Sequence, residues 1–155
     1  IEAGIKLGAV SLDHLETVTE EEIQMLGSYK GCSTLLPTAA FFLRMPFQPA
    51  RKLIDAGAAV TLASDFNPGS SPSGNMNLVN AMSCIQMKML PEEVINASTL
   101  NGAYAMELEN ELGSITIGKA ANLIFTKPIP SLAYLFYSFG SNHIDKVMLK
   151  GNWVQ

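Results

Sequence analysis

Two side chains suited to acid–base or metal chemistry stand directly after apolar segments of strand length. Asp65 ends the run 58–64, whose continuous apolar character is typical of a strand buried on both faces of a parallel sheet. His14 follows a shorter apolar segment at 8–12. Ligands of parallel sheets bind at the carboxyl ends of the strands, and in barrels that end carries the chemistry. Both residues are therefore candidates for one catalytic site.

The chemistry open to such a pair is the activation of water at a carbonyl group. An imidazole can polarise a carbonyl or hold a metal-bound water, and a carboxylate can complete a metal site and orient or deprotonate that water. The alternative is a turn-capping role for Asp65 and a hydrogen-bonded loop position for His14. His143 is expected to have a structural hydrogen-bonding role. One carboxylate and one imidazole do not complete a zinc site, and the sequence contains no HxH or HExxH pair.

The loop after Asp65 consists mostly of small and turn-forming residues. It reads Asp-Phe-Asn-Pro-Gly-Ser-Ser-Pro over 65–72. Small side chains let backbone amides approach a bound anion. The loop therefore adds an anion-binding element to the candidate site.

The elements that must position these residues alternate between strand and helix. Thr19, with a glutamate three residues later, predicts a capping box at the start of a helix that ends near 30–31. A second strand is expected at 32–36, stopped by a proline and followed by a bulky apolar loop at 41–45. A helix at 48–56 then leads into the strand that delivers the carboxylate.

Three more helices are predicted after the polar loop, and the sequence then changes character. They lie at 77–89, from Pro91 onward, and after a cap at Thr99. From residue 113, short strands are expected at 113–119 and 121–125, with a hairpin over 143–154 and no firm assignment for 129–139. The sequence thus indicates an α/β body at 1–112 and a small β module at 113–155.

The strand–helix rhythm of residues 1–112 is typical of parallel βαβ units. Three parallel strands cannot close a barrel, and an open sheet of three leaves unpaired edges. We therefore expect the missing strands upstream or supplied by other chains. The start of the chain has no Met and no signal-peptide pattern, so the N-terminus is expected to be cut.

Composition limits the class of partner. The 155 residues are 48% hydrophobic and 15% charged, with a net charge of −4 and no basic cluster, which argues against nucleic acid. No apolar run reaches the length of a membrane span. The two cysteines are widely spaced in apolar surroundings, which indicates reduced thiols in a cytoplasmic protein.

Several motifs resemble one enzyme family. The segment 64–72 resembles the strand-eight loop of the imidazolonepropionase family, and 10–16 is similar to the segment around that family's active-site histidine. The segment 113–123 resembles the C-terminal signature of the wider amidohydrolase superfamily, except that Asn122 replaces the usual Asp. The resemblance spans nearly the whole chain. It implies the α/β fold of the last three strand–helix units of a TIM-like, metal-dependent hydrolase barrel, followed by the end of a β-sandwich module.

The resemblance also implies a function and a set of roles. The family hydrolyses 4-imidazolone-5-propanoate to N-formimidoyl-L-glutamate in histidine degradation, with one zinc or iron ion held by an HxH pair, a further His and an Asp. Asp65 matches that ligand, and His14 matches the histidine that polarises the carbonyl or assists the attacking water. Asn67, Gly69 and Ser70 match positions that hold the substrate or product. The complete enzyme is expected to be a cytoplasmic homodimer.

The chain alone is not expected to be active, and two other functions stay open. The other metal ligands would lie upstream of Ile1, so the chain alone is expected to bind metal weakly and to be inactive. One alternative is a related amidohydrolase acting on another cyclic amide, such as a deaminase, although the loop 67–70 argues against it. The other is a non-catalytic binding or assembly module on the same scaffold.

Overall fold

The computed structural model describes residues 1–154 and shows a mixed α/β fold with two separate three-stranded sheets. The strands are β1 Ser11–Asp13, β2 Cys32–Leu35, β3 Ala59–Leu62, β4 Leu123–Thr126, β5 Ile144–Leu149 and β6 Asn152–Val154. The helices are α1 Glu2–Lys6, α2 Glu20–Gly27, α3 Pro37–Leu43, α4 Ala50–Asp55, α5 Met76–Ile85, α6 Pro91–Ser98, α7 Leu100–Ala105 and α8 Leu132–Tyr137. Within the described residues, no helix is long and apolar enough to cross a membrane.

The first sheet is parallel, as the sequence predicts, with strand order β1-β2-β3. Asp13 pairs with Thr34, and Leu35 pairs with Leu62, so all three strands end at the same edge. Every residue of β2 is buried, and helices α4, α6 and α7 pack against β3. This covering explains the apolar run that precedes Asp65. From Val60 to Leu62 the strand is buried beneath the helices, and of its four residues only Ala59 is exposed.

Helix α2 begins at the predicted capping box. The backbone N–H of Glu22 donates to the Thr19 hydroxyl at 3.2 Å, and the backbone N–H of Thr19 donates to the Glu22 carboxylate at 2.9 Å. Two amides that have no partner within the helix are thereby satisfied. Ile23 and Leu26 lie on the buried face of this helix and join the core.

The predicted apolar loop at 41–45 is wrong, because most of it belongs to helix α3. Pro37 is the first residue of this helix, where its missing N–H costs nothing and its fixed φ suits the helical turn. Arg44 ends the helix in the left-handed conformation with φ 57°. Phe41 and Phe42 are exposed on the surface of the described chain. Pro37 therefore prevents the strand from continuing and also begins helix α3.

Thr99 does not cap α7 as the sequence predicts. Its hydroxyl donates to the carbonyl of Ile95 at 2.6 Å, one turn back in α6. A threonine at a helix end can bond either to the amides ahead or to the carbonyls behind, and here the carbonyl is closer. Helices α6 and α7 consequently follow each other with no side-chain cap between them.

The second sheet is antiparallel, with order β4-β5-β6. The hairpin of β5 and β6 and the strand β4 agree with the prediction, but the segment 113–119 forms turns instead of a strand. Ile115 and Ile117 in that segment are fully exposed, because no strand of the described part of the chain packs against them. The unassigned stretch 129–139 contains α8, whose Phe136 is buried in the main core. Helix α8 thereby attaches the second sheet to the α/β body.

Candidate active site at the carboxyl edge of the parallel sheet

The two catalytic candidates follow strands that end at the same edge of the sheet. His14 comes directly after β1, and Asp65 comes three residues after the end of β3. One strand, β2, separates β1 from β3, and neighbouring strands lie about 4.8 Å apart, so the two strand ends are about 10 Å apart. That separation leaves room for a small substrate between groups supplied by the two loops.

His14 lies at a sharp bend of the backbone. His14 and Leu15 both adopt positive φ angles, 76° and 69°, which non-glycine residues rarely do. The bend sends Leu15 into the core while the His14 side chain stays 54% exposed. The backbone N–H of His14 donates to the carbonyl of Thr34 at 3.0 Å, which extends the sheet pairing by one bond. Strain of this kind persists only where the surrounding structure imposes it, and it is concentrated at functional sites.

The His14 imidazole belongs to a short polar chain that runs into the protein. Nδ1 of His14 lies 3.3 Å from Oε1 of Glu16, and the Glu16 side chain is only 7% exposed. Nε2 of Gln48 donates to the same carboxylate oxygen at 2.8 Å, and Gln48 is 1% exposed. The other amide atom of Gln48, Oε1, is buried without a hydrogen-bond partner among the described residues.

Asp65 is held by the loop that follows it. Its backbone has a positive φ of 52°, and its Oδ2 accepts a hydrogen bond from the hydroxyl of Ser70 at 2.6 Å. The amide Nδ2 of Asn67 donates both to the backbone carbonyl of Asp65 and to the Ser70 hydroxyl, each at 2.7 Å. One carboxylate oxygen is thus fixed by a hydroxyl that is itself oriented by an amide.

Two backbone amides of the same loop donate hydrogen bonds within the loop. The N–H groups of Gly69 and Ser70 donate to Oδ1 of Asn67 at 2.8 and 2.9 Å. Asn67 and Ser71 also exchange two backbone hydrogen bonds, at 3.0 and 3.2 Å, which close the loop. The amides expected to meet an anion therefore already have an acceptor, and an anion would have to replace the Asn67 side chain to reach them.

The remaining histidine lies away from this edge. The His143 ring packs against the Tyr134 ring with centroids 5.5 Å apart. Its Nε2 is buried and has no hydrogen-bond partner within residues 1–154, so the expected structural hydrogen bond from this ring nitrogen is not made. His143 therefore contributes an aromatic contact between the residue before β5 and helix α8.

Glu16 and Gln48 are the polar residues at this edge that the sequence reasoning missed as parts of the site. Glu16 carries a weak sequence signal, since it stands two residues after His14. Gln48 carries none, because it is 32 positions away from Glu16 and only the fold brings them together.

The described residues do not form a metal site by themselves. No group of three or more His, Cys, Asp or Glu side chains within 1–154 could hold a metal ion. Asp65 fits the role of a single ligand, because it lies at the strand end with one oxygen oriented by Ser70. Cys32 and Cys84 are free thiols in the structure.

Comparison with known proteins identifies the family. The model of the amidohydrolase family matches residues 2–154. The chain belongs to the amidohydrolase family. Among curated relatives, the imidazolonepropionase of Christiangramia forsetii is 51% identical over 154 residues, covering 99% of this chain and 38% of the relative. The imidazolonepropionase of Flavobacterium johnsoniae is 54% identical over 151 residues, covering 97% of this chain and 37% of the relative. This amidohydrolase chain thus spans less than two fifths of the length of these relatives.

Solved structures of two deaminases share the fold. A zinc-bound adenosine deaminase from Xanthomonas campestris superposes with a TM-score of 0.81 at 23% identity, over 96% of this chain and 38% of that one. The guanine deaminase of E. coli superposes with a TM-score of 0.75 at 19% identity, over 94% of this chain and 38% of that one. At these identities the likeness establishes the fold alone.

Proposed function

We propose that this chain is the C-terminal part of an imidazolonepropionase that hydrolyses 4-imidazolone-5-propanoate to N-formimidoyl-L-glutamate. The observation that carries the proposal is the identity of about half of all positions with proteins named imidazolonepropionase, which extends over nearly the whole chain. The deaminases match in fold at less than half that identity. Sequence similarity therefore favours the imidazolonepropionase reaction over a deaminase reaction.

In this proposal, Asp65 is one ligand of a zinc or iron ion whose other ligands come from residues outside this chain. The ion, when bound, supplies a water that is ionised near neutral pH. The contribution of this chain is the orientation of the ligand. The hydroxyl of Ser70 occupies Oδ2 of Asp65 and so leaves Oδ1 as the oxygen available to the ion.

His14 is proposed as the proton-transfer group at the reacting carbonyl. Its Nδ1 faces the Glu16 carboxylate, so the proton of the neutral ring belongs on Nδ1 and the lone pair on Nε2. A nitrogen with a free lone pair can take a proton from the attacking water and later return it to the departing ring nitrogen of the substrate. The half-exposed position of the side chain at the sheet edge allows such access.

The loop of Asn67, Gly69 and Ser70 is proposed to bind the propanoate group of the substrate. A carboxylate accepts hydrogen bonds more strongly than the neutral amide oxygen that now receives the two backbone N–H groups. Rotation of the Asn67 side chain would expose these amides to the substrate. A Cβ atom at Gly69 would lie 3.3 Å from Oδ1 of Asn67, so a larger residue there would press on the side chain that has to move.

The organisation of the complete protein follows from the same proposal. Residues 1–112 supply the last three strand–helix units of a closed TIM-like barrel, and 113–155 supply the end of a β-sandwich module. The open edges of β1 and β3 in the three-stranded sheet support this, because a parallel sheet of this kind needs further strands to close. We propose a cytoplasmic homodimer as the working form.

A chimera tests the proposed reaction. The part of the C. forsetii imidazolonepropionase that precedes the matched region is joined to this chain, and metal content and hydrolysis of 4-imidazolone-5-propanoate are measured. We expect about one ion per polypeptide and turnover of this substrate, whereas the 155-residue chain alone should retain no ion after dialysis and show no activity. A folded, metal-loaded chimera that leaves the substrate intact would contradict the proposed reaction.

A substitution in the chimera tests the role of Asp65. Asp65→Asn should lower both metal retention and kcat by at least about 100-fold, because a neutral amide is a poor ligand for a divalent cation. Asp145→Asn serves as the matched control, since Asp145 is an exposed aspartate of β5 in the other sheet. Equal metal content in wild type and Asp65→Asn would refute the ligand assignment.

A further inference from the structure

We propose that Glu16, held by Gln48, is a positioning residue that fixes the tautomer of His14. The inference rests on the proposed function for the meaning of that tautomer in catalysis, but its geometry stands on the contacts of this chain alone. An ionised carboxylate only accepts hydrogen bonds, so the contact of 3.3 Å between Nδ1 and Oε1 requires the proton on Nδ1. Nε2 is then the basic nitrogen of the neutral ring.

The burial of Glu16 separates this contact from an ordinary surface ion pair. Exposed pairs contribute little, because water screens them and both side chains are free to move. Here the carboxylate is 7% exposed, and its Oε1 also accepts a hydrogen bond from Gln48 at 2.8 Å. A carboxylate that is fixed from inside the protein can in turn fix the orientation of the imidazole.

The amide of Gln48 has one orientation that serves Glu16, and this orientation lowers the stability of the fold. Its amide must point Nε2 toward Glu16, because the opposite orientation would place two acceptors against each other. The orientation leaves Oε1 of Gln48 buried and unpaired among the described residues. A buried acceptor without a partner costs free energy. A role in holding the Glu16 carboxylate would explain why Gln48 keeps this unfavourable orientation.

The backbone brings the two side chains of this contact together. His14 and Glu16 are two positions apart, and the residues at 14 and 15 both have positive φ. Leu15 anchors the bend in the core, where it is 8% exposed. The strained conformation therefore sets the Glu16 carboxylate beside Nδ1 and leaves Nε2 outside that contact.

In this tautomer, Nε2 of His14 can take a proton and later give it back. Water adds to the substrate carbonyl carbon, and one of its protons passes to Nε2 of His14. The imidazolium that forms is stabilised by the negative charge of Glu16. When the ring C–N bond breaks, the proton on Nε2 passes to the departing nitrogen, and the neutral Nδ1–H tautomer returns.

Nitrogen NMR of the 155-residue chain tests the positioning without any enzyme assay. The chain contains two histidines, so labelling them with nitrogen-15 gives two imidazoles, and a His143→Gln variant assigns them. At about pH 9, where imidazoles are neutral, the Nδ1–H tautomer should predominate at His14 in the wild type. Glu16→Gln and Gln48→Leu should each lower the ratio of Nδ1–H to Nε2–H by at least threefold. Glu21→Gln, in an exposed glutamate of α2, should leave the ratio unchanged.

Kinetics of the chimera supply the second readout. Glu16→Gln should lower kcat by about 10-fold to 100-fold, with KM within twofold of the wild type, as expected for a group that acts through another residue. Glu21→Gln should match the wild type in both constants. A wild-type ring that carries its proton on Nε2, or a kcat unchanged in Glu16→Gln, would overturn the inference. If the tautomer results hold while the chimera hydrolyses nothing, the positioning is supported and the proposed reaction is the part that fails.

Discussion

The ion pair between Arg51 and Glu93 joins the helix before β3 to a helix packed against β3, and it therefore stabilises the strand that carries Asp65 to the site. Nη1 and Nη2 of Arg51 donate to the two carboxylate oxygens of Glu93 at 2.9 and 3.0 Å. The same carboxylate accepts the backbone N–H of Leu90 at 2.7 Å, at the start of α6. The side chains of the pair are 32% and 25% exposed.

Replacing Glu93 by Gln keeps the size of the side chain and an acceptor for Leu90 but removes the charge. Exposed ion pairs contribute 0.2–1 kcal/mol, and hydrogen bonds to charged groups about 1.5–3 kcal/mol. A half-buried bidentate pair lies between these limits, so we expect a loss of about 1.5 kcal/mol in the free energy of unfolding. For a chain of this length, that corresponds to a fall in Tm of about 3–6 °C.

The loss of stability in Glu93→Gln should become smaller at low pH. Burial raises the pKa of Glu93, but the hydrogen bonds from Arg51 and from the Leu90 N–H outweigh burial and bring the pKa below its ordinary value of 4.5. The pKa is therefore lower in the folded state than in the unfolded one. The stabilisation is fully present above about pH 4.5 and is lost as the pH falls through the lower, folded-state value.

Thermal unfolding of the 155-residue chain, followed by circular dichroism at pH 7 and pH 3, measures this difference. Asp55→Asn is the matched control, because Asp55 also binds Arg51 but is 64% exposed, in an i,i+4 pair for which we expect about 0.3–0.5 kcal/mol. Equal effects of the two substitutions at pH 7, or a Glu93→Gln effect that is as large at pH 3 as at pH 7, would contradict this account.

Three further outcomes are expected. Thr19→Ala removes the side-chain acceptor at the start of α2 and should lower the free energy of unfolding by about 1 kcal/mol in urea titrations, whereas Thr19→Ser should retain most of it. Burial raises the pKa of Cys84 to about 11, so on the order of one thiol in a thousand is ionised at pH 8 and alkylation by iodoacetamide should be about 100-fold slower than in urea-unfolded chain. Equal rates would show that the thiol is not buried. Ser70→Ala frees one oxygen of Asp65 and should lower kcat of the chimera about tenfold with little change in Tm. Ser73→Ala, just after this loop, removes one hydrogen bond of 3.3 Å from the Asn75 N–H and should leave kcat unchanged.

Several parts of the fold could be read from local sequence. The capping box of α2, the apolar run of β3 and the hairpin of β5 and β6 depend on residues that are close together in the chain, and the structure confirms them. Two other predictions were wrong, for different reasons. The segment 41–45 was expected to be a loop because of its bulky apolar residues, but Pro37 starts a helix there. The segment 113–119 has the alternation of a strand, but residues 1–154 offer it no partner strand.

The sequence by itself determined which residues could do the chemistry, because strand ends and polar loops carry local signals. His14 and Asp65 were found in this way, and their catalytic roles remain predictions. Only the tertiary structure decided how these groups are held. The link from Gln48 to Glu16 spans 32 positions, and the amides near Gly69 proved to be engaged by Asn67. Hydrogen bonds of this kind depend on positions and directions within a few tenths of an ångström, and the order of residue types along a chain does not contain that information.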